Sequence, residues 1–230
     1  MKKIKKLKGY FSLTEIILWL ISVVLIVTAF IVFDNGNYLT LTASVIGVTS
    51  LIFNAKGNPF GQLLMIIFSV LYGVISFSFS YYGEMITYLG MTAPMALFSL
   101  VSWLRHPYKG KKSQVEVNNL KPAEWPLIIV LTAVVTIVFY FILNYFKTAN
   151  ILPSTLSVTT SFIAVYLTFR RSPWFAVAYA ANDIVLIILW VLATFKDVSY
   201  LSVIICFVMF LINDLYGFYN WQKMKKKQSE

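Results

Sequence analysis

Eight continuous apolar runs of membrane-spanning length follow one another along this chain, separated by polar or turn-forming residues. They lie at about 13–33, 38–54, 60–79, 81–103, 125–146, 153–169, 174–195 and 199–221. A helix that crosses a bilayer needs about 20 apolar residues and no charged face. Strands of a membrane barrel would be shorter and would alternate in polarity. Charged residues make up only 12% of the chain and hydrophobic ones 59%, whereas a soluble domain carries roughly a quarter charged residues. The expected fold class is therefore an all-α membrane protein of about eight transmembrane helices.

Charge tests this parse, because loops facing the cytoplasm are enriched in lysine and arginine. Lys2, Lys3, Lys5, Lys6 and Lys8 precede the first run, Lys56 follows the second, and Arg105, Lys109, Lys111, Lys112 and Lys121 follow the fourth. Arg170 and Arg171 follow the sixth, and Lys223, Lys225, Lys226 and Lys227 close the chain. Seventeen of the 19 basic residues thus fall on one side, leaving Lys147 and Lys196 on the other. Both termini are expected in the cytoplasm of a bacterial inner-membrane protein. The net charge of +10 follows from this topology. No basic face is interleaved with base-stacking aromatics, so nucleic acid is not expected as a partner. The first run is longer than a signal-peptide core and ends at Phe33-Asp34 without a small-x-small cleavage site, so it reads as a retained helix.

A weak repeat runs through the chain. Phe53 and Phe169, Ser44 and Thr160, and Phe79 and Phe195 recur at a shift of about 116, and Trp103 and Trp221 at about 118. Helices 2–4 and 6–8 then form two three-helix units, and helix 5 returns the chain to the starting side. The result is a 3+1+3 core of parallel repeats, an arrangement that encloses substrate sites near the midplane. The expected segments are a basic N-terminus with peripheral helix 1 over 1–37 and a first repeat over 38–104. A cytoplasmic loop without a site follows at 105–124, then linker helix 5 at 125–150, a second repeat at 151–222 and a basic tail at 223–230.

Polar groups at membrane depth are costly unless they face a cavity or a neighbouring helix. Asn182 and Asp183 lie in the middle of helix 7, and Trp190 follows seven residues later on nearly the same face. A carboxylate beside an indole suits an organic cation, while helix-bridging hydrogen bonds are the structural alternative. On helix 8, Asn213, Tyr216 and Asn220 share a face, with Asp214 beside them. Tyr219 and Trp221 read as an interfacial aromatic belt. Gln62, Ser69, Gly73 and Ser76 line one side of helix 3, with Tyr72 adjacent. Tyr88, Thr92 and Met95 line one side of helix 4, where Pro94 removes a backbone hydrogen bond and kinks the helix. Glu84 reads as interfacial and His106 as solvated, and Cys206 as a small packing residue. There is no phosphate-binding Gly-rich loop, no metal-ligand set and no catalytic triad, so no cofactor, metal or enzymatic chemistry is expected. From the residues alone, the chain is a small transporter for a polar or cationic aromatic solute.

Three segments carry a resemblance. They are Met91 to Pro107 (MTAPMALFSLVSWLRHP), Asn182 to Trp190 (NDIVLIILW) and Ile212 to Trp221 (INDLYGFYNW). With the 3+1+3 layout, they resemble the PnuC family of nicotinamide riboside transporters, whose architecture is similar to that of the SWEET sugar transporters. The resemblance covers nearly all of 38–224, and helix 1 is additional. It implies facilitated diffusion of a vitamin-type substrate trapped by cytoplasmic phosphorylation, and a homotrimer. Relatives associated with thiamine, riboflavin or deoxynucleosides leave the substrate open. By position, the family's lining corresponds to Asn182, Trp190 and Asn213, and to Gln62, Tyr72 and Tyr88. A proton-coupled carrier using Asp183 or Asp214 remains the alternative mechanism.

Overall fold

The computed structural model describes residues 9–78, 81–148, 150–195 and 197–230. The lysines before Gly9, and also Phe79 and Lys196, lie outside the described residues. Among these residues, eight helices are long and apolar enough to cross a membrane. They are α1 (Leu13–Phe33), α2 (Tyr38–Ala55), α3 (Phe60–Ser78), α4 (Tyr82–Arg105), α5 (Glu124–Tyr145), α6 (Ile151–Phe169), α7 (Phe175–Thr194) and α8 (Leu201–Ser229).

Local chemistry sets the ends. At α1, the Ser12 hydroxyl accepts from the Glu15 N–H at 3.2 Å, and the Ser12 N–H donates to the Glu15 carboxylate at 2.7 Å. This reciprocal box satisfies two otherwise unpaired donors. After α2 the chain turns at Gly57, whose φ of +64° suits glycine. In α4, residues Tyr88–Thr92 form a π-helical turn just before Pro94. Proline lacks an N–H and its ring crowds the carbonyl four residues back. Widening the preceding turn accommodates both.

The packing order is a closed ring. α2 touches α3, α3 touches α4, α4 touches α6, α6 touches α7, α7 touches α8, and α8 returns to α2. The α4–α6 and α8–α2 seams occupy equivalent places if the chain is two repeats. Outside the ring, α5 packs on α6 and α1 lies in the groove between α2 and α8. Trp19 of α1 donates to Thr49 at 3.0 Å, and Lys56 pairs with Glu15 at 3.1 Å. Helix α1 is therefore peripheral to the ring but tied to it by polar contacts.

The basic segments meet at one end. The Tyr10 hydroxyl donates to the Ser113 carbonyl, the Asn118 N–H to the Arg171 carbonyl, and the Val117 N–H to the Gln228 side chain. Two expectations change here. Residues 105–124 are not a bare loop: β1 (Pro107–Tyr108) and β2 (Lys111–Val115) form an antiparallel hairpin, and Val115 is fully buried against the bundle end. The segment after 221 is not a free tail, because α8 continues to Ser229. Residues 222–229 contain no Gly or Pro to break a helix, and Gln228 and Met224 hold them against the hairpin.

Candidate functional site

A small buried cavity lies inside the ring, and its two walls differ in chemistry. Leu51 of α2, Met65 and Phe68 of α3 and Tyr88 of α4 form a mostly apolar, aromatic wall. Ser161 of α6, Tyr179, Asn182 and Asp183 of α7 and Asp214 of α8 form a polar one, with Thr92, Phe207 and Phe210 completing the lining. The asymmetry comes from the sequence. Shifted by 116, Asn182 and Asp183 fall on Ile66 and Ile67, and shifted by 118, Asp214 falls on Ala96. The equivalent positions of the first repeat carry no carboxylate.

The polar groups are held by their neighbours. The Asn182 amide oxygen accepts from Thr160 at 2.8 Å and from Ser161 at 2.9 Å, which fixes the amide and directs its N–H groups elsewhere. Asp183 is 3% exposed and one of its carboxyl oxygens has no partner. Asp214 is 4% exposed and lines the same small cavity as Asp183. Two carboxyl groups facing one small low-dielectric cavity favour a cation between them or a proton on one of them.

Both ends of the cavity are closed. Towards the face opposite the termini, Trp190 packs against Tyr81 at 5.1 Å, Tyr200 at 5.3 Å and Tyr72 at 6.3 Å between ring centroids. Tyr72 in turn meets Tyr88 at 4.4 Å, so this aromatic plug rests on the cavity wall. Towards the termini, Trp103 and Trp221 are fully buried and their rings lie 5.4 Å apart. The Trp103 indole donates to the Thr168 carbonyl at 2.9 Å and Ser102 to the Phe169 carbonyl at 3.0 Å. The Trp221 indole donates to the Asn54 carbonyl at 2.8 Å and Asn220 to the Ala55 carbonyl at 2.6 Å. This latch is duplicated: residues 102 and 103 at the end of α4 cap the last carbonyls of α6, and residues 220 and 221 in α8 cap those of α2. The cavity between plug and latch is about 20 Å³, room for roughly one water-sized sphere.

Of the residues expected at the site, Tyr88, Thr92, Asn182 and Asp183 line the cavity. Tyr72 and Trp190 stand one layer away in the plug. Gln62 donates to the Asn54 side chain at 2.9 Å, near the latch. Asn213 donates to Ser22 of α1 at 3.0 Å, and Tyr216 donates to Glu15 of α1 at 3.1 Å, so both face α1. Successive helix residues are 100° apart, which turns Asp214 inward when Asn213 faces α1. The aromatic wall of Phe68, Phe207 and Phe210 carries no polar signal that sequence could have flagged. Two placements correct the sequence-based expectation. Glu84 is 3% exposed rather than interfacial, because this end of α4 packs against α6, where Ser157 lies beside the carboxyl group. Trp221 belongs to the latch rather than to a lipid-facing belt, because the hairpin covers that end. Trp125 and Trp174, both about half exposed, sit where a belt would be.

Residues 37–223 match the family model described as Nicotinamide mononucleotide transporter. The chain belongs to that family. It is 28% identical over 92% of its length, and 82% of the relative's, to a protein of Neisseria mucosa named nicotinamide riboside transporter PnuC. It is 22% identical over 83% of its length, and 82% of the relative's, to a protein of the same name from Haemophilus influenzae. Its fold superposes on the crystal structure of the vitamin B3 transporter PnuC with a TM-score of 0.84 and 27% identity. That match covers 96% of this chain and 95% of the other. The family and these relatives are transporters, not enzymes.

Proposed function

We propose that this protein carries nicotinamide riboside across the bacterial inner membrane by facilitated diffusion, with phosphorylation in the cytoplasm as the trap. The observation that carries this reading is the two-walled cavity. A flat pyridinium ring suits the aromatic wall of Phe68 and Tyr88. Its positive charge suits the Asp183–Asp214 pair, and ribose hydroxyls suit Asn182 and Ser161. The names of the relatives support the same substrate. A cavity closed at both ends and too small for a nucleoside fits a carrier that opens plug and latch in turn, as paired repeats around a midplane site do. The seventeen-to-two distribution of basic residues supports cytoplasmic termini, and the assembly read from the family resemblance is a homotrimer.

The carboxyl pair favours one second reading, a proton-coupled carrier in which a proton replaces the cation. Purified protein in sealed vesicles separates the two. Labelled nicotinamide riboside should equilibrate in both directions without an ion gradient. Accumulation above the external concentration, driven by a proton gradient, would replace the first reading with the second. No saturable uptake of this substrate, alongside uptake of thiamine or a deoxynucleoside, would overturn the substrate assignment. A cytoplasm-dependent reporter fused to the C-terminus should be active, and a well-expressed but silent fusion would refute the orientation.

A further inference from the structure

At the end of the bundle that carries the termini, the segment before α1, the α2–α3 turn, strand β2 and the end of α8 surround an open cleft of about 460 Å³. Its walls carry Lys56, Lys111, Lys223 and Lys227. Lys56 is paired with Glu15. The other three have no ion pair among the described residues. Lys223 and Lys227 are one helical turn apart on α8, a like-charge spacing that is unfavourable unless an anion offsets it. The positive-inside tendency asks for basic residues on one side of the membrane. It does not ask that three segments distant in sequence direct them into one cleft.

We propose that this cleft is a binding site for a phosphate-bearing anion, separate from the central cavity. Its volume falls in the range of small-molecule sites, and phosphate oxygens accept charge-assisted hydrogen bonds from lysine ammonium groups. The Tyr10 hydroxyl at the rim is fixed between Asn58 at 2.8 Å and the Ser113 carbonyl at 3.2 Å, so the cleft has an ordered wall as well as charge. Lys223 and Lys227 lie about half a turn and nearly two turns beyond Trp221, within reach of both lipid headgroups and the aqueous phase. Phosphate is the chemistry common to an anionic phospholipid and a soluble nucleotide.

The test uses full-length protein in nanodiscs. One arm titrates adenosine 5′-monophosphate and inorganic pyrophosphate by calorimetry in neutral phosphatidylcholine discs at physiological salt. The other compares thermal stability in discs with and without phosphatidylglycerol. Binding in the first arm identifies a soluble phosphate compound, and stabilisation in the second identifies a lipid headgroup. In whichever arm responds, the Lys223→Gln/Lys227→Gln variant should lose about tenfold in affinity, or most of the stabilisation. Lys109→Gln/Lys112→Gln, two exposed lysines of the same hairpin outside the cleft, should behave as wild type. All four side chains are exposed, so neither variant threatens the fold. No response in either arm overturns the site. An equal loss in the two variants also overturns it, because diffuse surface charge then accounts for the binding.

Discussion

A carboxylate in the middle of a membrane helix persists either as a structural bridge or as a partner for something charged. Asp183 has an oxygen with no hydrogen-bond partner and faces the same small cavity as Asp214, so at least one of its acceptors is not spent on bridging helices. Asp183→Asn keeps the shape and removes the charge. It should weaken nicotinamide riboside by about tenfold and an uncharged reduced-ring riboside by less than about twofold. Equal losses in calorimetric titrations would end the charge-recognition idea while leaving the transporter assignment intact. Trp190 calls for a different experiment, because it is packed among tyrosines one layer from the cavity. Trp190→Ala should lower stability by about 3–5 kcal/mol, the usual cost of truncating a buried tryptophan. Trp190→Phe should fold, hold affinity within about twofold and change the rate of transport. A tenfold loss of affinity in Trp190→Phe would instead put the indole against the substrate ring. Asp183 and Asn182 were conspicuous in the sequence because they interrupt an apolar run. The rotation of α8 was not, since Asn213 and Asp214 are adjacent and equally polar. Ser22 and Glu15 on α1 decide which of them turns inward, and no periodicity within α8 encodes that.

Helix boundaries were legible because lipid imposes a length and turns punctuate it. The described helices begin within a few residues of the apolar runs. Contacts between helices were less legible, since small residues mark close approach without naming the partner. Gly47 of α2 is the sharpest case. A Cβ placed there would collide with the ring of Phe210 on α8 and sit 3.0 Å from Phe68 on α3. Both rings line the cavity. Gly47→Ala should therefore push apart three helices at the site, costing about 1–3 kcal/mol of stability and impairing transport. Gly90, inside the π-helical turn of α4, is the internal control: its nearest contact would be Ile86 at 3.9 Å. Gly90→Ala should be neutral or stabilising by up to about 1 kcal/mol, since alanine lowers the entropy lost on folding. Melting curves in detergent and vesicle uptake check both. Normal stability and transport in Gly47→Ala would mean that the α2–α8 seam yields without effect on the cavity.

Seen as a whole, the molecule is a ring with two seams, and the repeat predicts that the seams are chemically alike. The sequence carried that hint in Trp103 and Trp221. It did not show that the hairpin between α4 and α5 would cover them, which is why Trp221 read as a lipid-facing aromatic. In the structure each indole caps a helix end on the neighbouring repeat, and the two rings touch each other. The last carbonyls of a helix have no partner within it, so each indole N–H meets a real deficit. Trp103→Phe and Trp221→Phe each keep an aromatic ring and delete that donor. Each should cost about 1 kcal/mol, seen as similar drops in melting temperature. Because the rings are in contact, the double variant should depart from the sum by about 0.5 kcal/mol or more. Weakening the latch should also ease opening at the termini-bearing face while leaving the plug unchanged. A cysteine introduced at Asn54 should then label faster from that side in either single variant, and one introduced at Tyr81 should label at the parental rate. If only one tryptophan changes stability and labelling, the seams are not equivalent and the ring opens along a single hinge. If both change alike, the two repeats separate as symmetric halves about the axis between the indoles.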